Sequence, residues 1–138
     1  MSLLSKSHDN YCTFLLLKER GVTENADFHT AAVHCAYYSC YQKLIFILKE
    51  HYTDRYAALN ERTSGSHNLF IGECVGCLTR TFKKKARDIT KVNRQLKQLK
   101  AIRQMSDYED EKVSTDDIEK VRQYLEAFRR IIKETTDL

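Results

Sequence analysis

The segment Ala26–His51, ADFHTAAVHCAYYSCYQKLIFILKEH, sets the architecture of this chain. It holds no proline or glycine, and at 1.5 Å per residue it spans about 39 Å as one helix. Its middle, from Ala31 to Leu48, is apolar nearly all round. A helix without a polar face belongs at the centre of a bundle, where neighbours cover every side.

Working outward, the residues on either side supply those neighbours. A first helix is expected over Lys6–Arg20, with Ser5 or Ser7 as its cap and Gly21 as its stop. The stretch Tyr52–Ser66 is polar, and Arg62–Ser66 reads as a loop. A third helix starts near His67 and carries Leu69, Phe70, Ile71, Cys74, Val75, Leu78 and Phe82. Within it, Gly72 and Gly76 share a face and suit close approach by another helix. The fourth helix, Lys85–Met105, has the cleanest period: Ile89, Val92, Leu96 and Leu99 form one stripe. Ser114 with Asp117 spells a capping box for a last helix, whose stripe is Ile118, Val121, Leu125, Phe128 and Ile132. The expected fold is an all-α, antiparallel up-and-down bundle of about five helices, in one domain over residues 1–138.

Composition agrees. The 138 residues include no proline and four glycines, an economy that helices tolerate and turn-rich sheets do not. The longest apolar run, Leu44–Leu48, is far too short to cross a bilayer. Nothing near the N-terminus reads as a secretory leader. Cys12, Cys35, Cys40, Cys74 and Cys77 are an odd set in helical contexts, expected as reduced thiols of a cytoplasmic protein. Cys74 and Cys77 form a lone CxxC without a second pair of ligands, so no metal site is expected.

Net charge is +4, but its distribution is uneven. The basic face Lys83, Lys84, Lys85, Arg87, Lys91 and Arg94 continues through Lys97 and Lys100 to Arg103, against one acid, Asp88. After Ser106 the acids Asp107, Glu109, Asp110, Glu111, Asp116, Asp117 and Glu119 prevail. Such a basic stripe is solvated, tracks a phosphate backbone, or meets the acidic segment of a partner or second copy. The apolar stripe of the fourth helix ends at Arg103, and Asp107 follows one turn later. Arg103 is then either a structural clamp with Asp107 or a planar donor fork held ready for a phosphate. Tyr37, Tyr38 and Tyr41 are its natural companions, as core rings with bonded hydroxyls or as platforms for bases.

The motif Ala36-Tyr37-Tyr38 in the long helix, Ser66-His67 at the head of the next, and Arg103-Gln104-Met105-Ser106-Asp107-Tyr108 closing the basic helix occur in a telling order. The set resembles HEPN domains, nucleotide-binding helical domains of higher eukaryotes and prokaryotes, over nearly the whole chain. The resemblance implies a helical bundle that handles RNA or a nucleotide in a cleft lined by Arg103, Asp107, Tyr108, Tyr37, Tyr38, His34 and His67. It also implies a nucleotidyltransferase partner in a toxin–antitoxin-like pair, and a homodimer.

One departure bears on activity. HEPN ribonucleases carry an arginine, four to six further residues and then a histidine at the late-helix position, whereas Asp107 and Tyr108 stand near that place after Arg103 here. Arg62 and His67 have that spacing but lie ahead of the third helix, and the match is taken as chance. No catalytic residue, cofactor or metal is therefore assigned. His8, His29 and His51 are expected at the surface. The expectation is a non-catalytic RNA- or nucleotide-binding module. Its alternatives are a divergent metal-independent ribonuclease using Arg103, and a structural dimerisation or scaffold domain.

Overall fold

The structure, a computed structural model, describes residues 2–23, 28–62, 66–108 and 113–138, side chains at 21–23, 62, 107 and 108 excepted. Among them the regular structure is all helical: α1 (Leu3–Thr23), α2 (His29–His51), α3 (Thr53–Arg62), α4 (His67–Thr81), α5 (Ala86–Tyr108) and α6 (Thr115–Thr136). A short 3-10 turn over Lys83–Lys85 leads into α5.

The long second helix does occupy the centre. It contacts all five other helices. Ala32, Val33, Ala36, Tyr37, Ser39, Cys40, Leu44, Ile47 and Leu48 are buried along one broad face, and the partly buried Cys35, Tyr38 and Tyr41 pack against the same core. The buried stripe of α5, Ile89, Val92, Leu96 and Leu99, packs into the same core as Ile118, Val121, Leu125, Phe128, Ile131 and Ile132 of α6. The capping box at the start of α6 is formed both ways. The Asp117 backbone N–H donates to Ser114 Oγ at 3.0 Å, and the Ser114 N–H donates to an Asp117 carboxylate oxygen at 3.2 Å.

Three local expectations are corrected. The polar stretch after α2 contains α3, so six helices replace about five. Tyr56 and Leu59, three apart, turn one side of α3 onto the core, and the Tyr56 ring lies 5.7 Å from Phe70. Two side chains on one face hold a ten-residue helix that average polarity conceals. In α1 the cap is Ser2, whose Oγ accepts the Ser5 N–H at 3.1 Å, and the helix runs through Gly21 to Thr23. Ser7 is instead buried against α2 and donates to the Ser39 carbonyl, while Ser39 Oγ donates back to the Ser7 carbonyl at 2.8 Å. Small hydroxyls let the two backbones approach and satisfy one another.

The third correction concerns α4. A Cβ on Gly72 would meet nothing within 4 Å, and one on Gly76 would meet only the guanidinium of Arg80 in its own helix. Neither glycine serves a close helix crossing. Gly72→Ala should therefore raise stability by about 0.5–1 kcal/mol, the ordinary gain of alanine over glycine inside a helix. Urea unfolding followed by circular dichroism measures it, and a loss of stability would show a packing role after all.

The thiols of Cys40, Cys74 and Cys77 are buried, Cys35 is half-buried and Cys12 is exposed, and all five are free. Burial pushes the Cys40 and Cys74 thiols up, which keeps them protonated and unreactive. Among the described residues no helix is long and apolar enough to cross a membrane, and no group of histidines, cysteines and acids could hold a metal ion.

Candidate tyrosine–arginine–histidine cleft

Three helices converge on one cluster. From α2 come His34, Tyr37, Tyr38 and Tyr41, from α4 comes His67, and from α5 comes Arg103. The i, i+4 spacing of Tyr37 and Tyr41 lays their rings nearly parallel, 6.2 Å apart. Tyr38 stands edge-on to Tyr37 at 5.4 Å and has His34 parallel to it at 6.4 Å. The His67 ring stacks on Tyr41 at 4.0 Å, and its Nδ1 shares a hydrogen bond with the Tyr37 hydroxyl at 3.2 Å.

Arg103 closes the cluster from the other side. Its Cζ lies 4.7 Å from the centre of the Tyr37 ring and 5.7 Å from that of Tyr38. A guanidinium over an aromatic face is attracted by the ring quadrupole, more strongly where water is excluded. One terminal nitrogen donates a long hydrogen bond, 3.4 Å, to the Tyr38 hydroxyl. Its Nε is buried and has no hydrogen-bond partner among the described residues. A helix stripe that elsewhere ends in an aliphatic thus ends in a half-buried cation resting on two rings.

The electrostatics follow from this packing. Burial pushes the Tyr37 hydroxyl up to about 12, despite the opposing charge of Arg103. It stays protonated and available to His67 at any physiological pH. Burial also pushes His67 down from its usual value, helped by the positive charges of Arg103 and Lys100. His67 is therefore neutral near pH 7.

A depressed histidine sets the direction of a pH effect. Above the unfolded value near 6.5 both states leave the ring neutral. As pH falls below it, the unfolded chain takes up the proton first and the folded state loses relative stability. Denaturant midpoints should thus drop between pH 7 and pH 5, and by less in His67→Gln. An unchanged pH dependence in the variant would mean that His67 carries no such shift.

The structure brings together five of the seven residues singled out from the sequence: His34, Tyr37, Tyr38, His67 and Arg103. The other two, Asp107 and Tyr108, lie on the last turn of α5 with side chains outside the described residues, and so does the clamp expected between Asp107 and Arg103. Arg62 ends α3, and its side chain is likewise outside them. Tyr41, expected with Tyr37 and Tyr38 as a companion of Arg103, joins the cluster by stacking on Tyr37 and His67. His29 is no surface residue. It is half-buried, and its Nδ1 lies 2.8 Å from the Val113 carbonyl, which joins α2 to the approach of α6.

The basic residues Arg87, Lys91 and Arg94 lie on the solvent side of α5, opposite its buried stripe and Arg103. Lys83, Lys84, Arg87, Lys91, Arg94 and Lys97 are exposed, while Lys85 lies 3.7 Å from the Glu134 carboxylate. Three lysines at the start of α5 add to the positive end of its helix dipole, against Asp88 alone in the first turn. At the other end, Lys100 donates to the Asn68 side-chain oxygen at 2.8 Å, which ties the basic helix to the residue after His67. No known protein family, curated protein or solved structure matches this chain.

Proposed function

We propose that this protein is a HEPN-like helical module of up-and-down topology that binds RNA or a nucleotide, without breaking it down, at the cleft of Arg103, Tyr37, Tyr38 and His67. The observation that carries the reading is the half-buried guanidinium on its tyrosine platform, with a buried Nε that has no hydrogen-bond partner among the described residues. The planar guanidinium suits a phosphate, and the partly exposed Tyr38 ring can accept a stacked base. The exposed cations of α5 give it a positive solvent face that suits a nucleic-acid backbone. By the HEPN resemblance, the protein would work as a homodimer beside a nucleotidyltransferase partner.

Binding of a labelled single-stranded RNA to wild type and Arg103→Ala tests this, at 50 mM and 200 mM salt. Wild type should bind, weaken at least tenfold between the two salts, and exceed Arg103→Ala by about tenfold while both stay folded. Equal binding by the variant, or none by wild type at low salt, would overturn the reading.

One observation favours a second reading, a divergent metal-independent ribonuclease. The fold places a neutral histidine, His67, in the same cluster as Arg103, although the two are far apart in sequence. Such a histidine can take the 2′-hydroxyl proton as that oxygen attacks phosphorus and return it to the 5′-oxygen as the P–O5′ bond breaks, while the arginine steadies the phosphate. Cleavage in the presence of a chelator, lost in His67→Ala, would select this reading over simple binding.

A further inference from the structure

Beside the cleft, α4 and α5 line an open groove of about 470 Å³ that the sequence did not single out. This lies within the roughly 300–1,000 Å³ typical of small-molecule sites. Asn93, Lys97, Lys100 and Gln104 stand at i, i+4, i+7 and i+11, so one polar stripe of α5 forms a wall. From α4, Asn68 and Gly72 form the other wall, and the buried side chains of Ile71 and Leu96 make an apolar floor. The absence of a Cβ at Gly72 keeps the groove open, because nothing else lies within 4 Å of that point.

The wall chemistry is specific. Three carboxamides offer paired donor and acceptor groups, the pattern that matches the N6 amino group and N7 of adenine. Among the described residues the lining holds no carboxylate. Lys97 and Lys100 supply the charge for a phosphate. The Asn68 oxygen holds the Lys100 ammonium in place at 2.8 Å, which leaves its other protons for a ligand.

We infer that this groove binds one adenine nucleotide, with its base on Ile71 and Leu96, its edge read by the carboxamides, and its phosphate on Lys97 and Lys100. The inference rests on the RNA- or nucleotide-binding reading and gives that surface a base-specific subsite. The cleft of Arg103 adjoins it through the sequence neighbours His67–Asn68 and Arg103–Gln104.

Calorimetric titration of the full chain with AMP, GMP, adenosine and inorganic phosphate tests it. AMP should bind at least fivefold more tightly than GMP and tenfold more tightly than adenosine or phosphate alone. Lys100→Gln should weaken AMP about tenfold. Gly72→Phe, which fills the groove from a position with free space, should abolish AMP binding with an unchanged circular dichroism spectrum. Competition separates the two sources of such a nucleotide: displacement by oligo(A) identifies an adenosine residue of RNA, and its failure identifies a free nucleotide. A uridine oligomer, binding in a salt-dependent way, reports the general reading independently. If that oligomer binds while AMP does not, or while Gly72→Phe holds AMP like wild type, the adenine subsite is wrong and the RNA reading stands. If AMP binds and the oligomer does not, the RNA reading falls and the groove is a free-nucleotide site.

Discussion

Tyr37→Ala is expected to lower folding stability by about 3–5 kcal/mol, the range for removing a buried aromatic ring from a core. Tyr37 is 0% exposed, and three different groups rest on it. Arg103 lies over its face, Tyr41 stacks beside it, and its hydroxyl holds His67. Truncation leaves a cavity in the central helix and removes the ring beneath the half-buried guanidinium of Arg103. Tyr37→Phe separates the two contributions. It keeps the ring and removes only the hydroxyl, so it should cost about 0.5–1.5 kcal/mol, the worth of one hydrogen bond. Urea denaturation of both variants measures the difference. Equal, small losses would mean that the ring does not organise the cluster.

Phe14→Ala should cost a similar 3–5 kcal/mol, for a different reason. Among the described residues of α1, Phe14 is the one fully buried hydrophobic side chain. Leu3, Tyr11 and Leu17 pack on the core only partly buried, and polar contacts accompany them: the paired Ser7 and Ser39 bonds, Asn10 to Gln42 at 2.8 Å, and the Tyr11 hydroxyl to Glu126 at 2.8 Å. Arg129 covers the Tyr11 ring at 3.5 Å. Polar pairs give α1 its register on α2 and α6, but each exchanges bonds with water for bonds with protein and contributes modestly. Phe14 supplies the fully buried apolar anchor. Domains of ordinary stability hold only about 5–15 kcal/mol in total, so its loss should leave α1 open to amide exchange well before the rest. Exchange in α1 that stays as slow as in α2 would show that the polar contacts suffice.

The residues on these two surfaces differ in how readable they were. The α5 stripe and the α6 capping box depend on spacing within a few turns, and both helices follow them closely. The all-round apolar middle of α2 likewise forced a central position, since no orientation on a surface would bury it. Helix α3 escaped because Tyr56 and Leu59 are too few to raise a periodic signal, and their burial depends on Phe70 from another element. Ser7 shows the same limit: a serine near a helix start reads as a cap, until a neighbouring backbone makes it an interhelical bond.

The cleft itself divides along that line. By itself the sequence determined the helical class, the central helix, and the anomaly of an arginine ending an apolar stripe, because all three are matters of local period and polarity. Only the tertiary structure decided which groups meet that arginine. His67 is thirty residues from Tyr37 and thirty-six from Arg103, and its neutral state comes from burial and cations contributed by α5. The groove of Asn68, Asn93 and Lys97 was equally hidden, since two helices must align before their polar stripes face one space. Periodicity tells which side of a helix is wet, but the partner across the groove is chosen by packing.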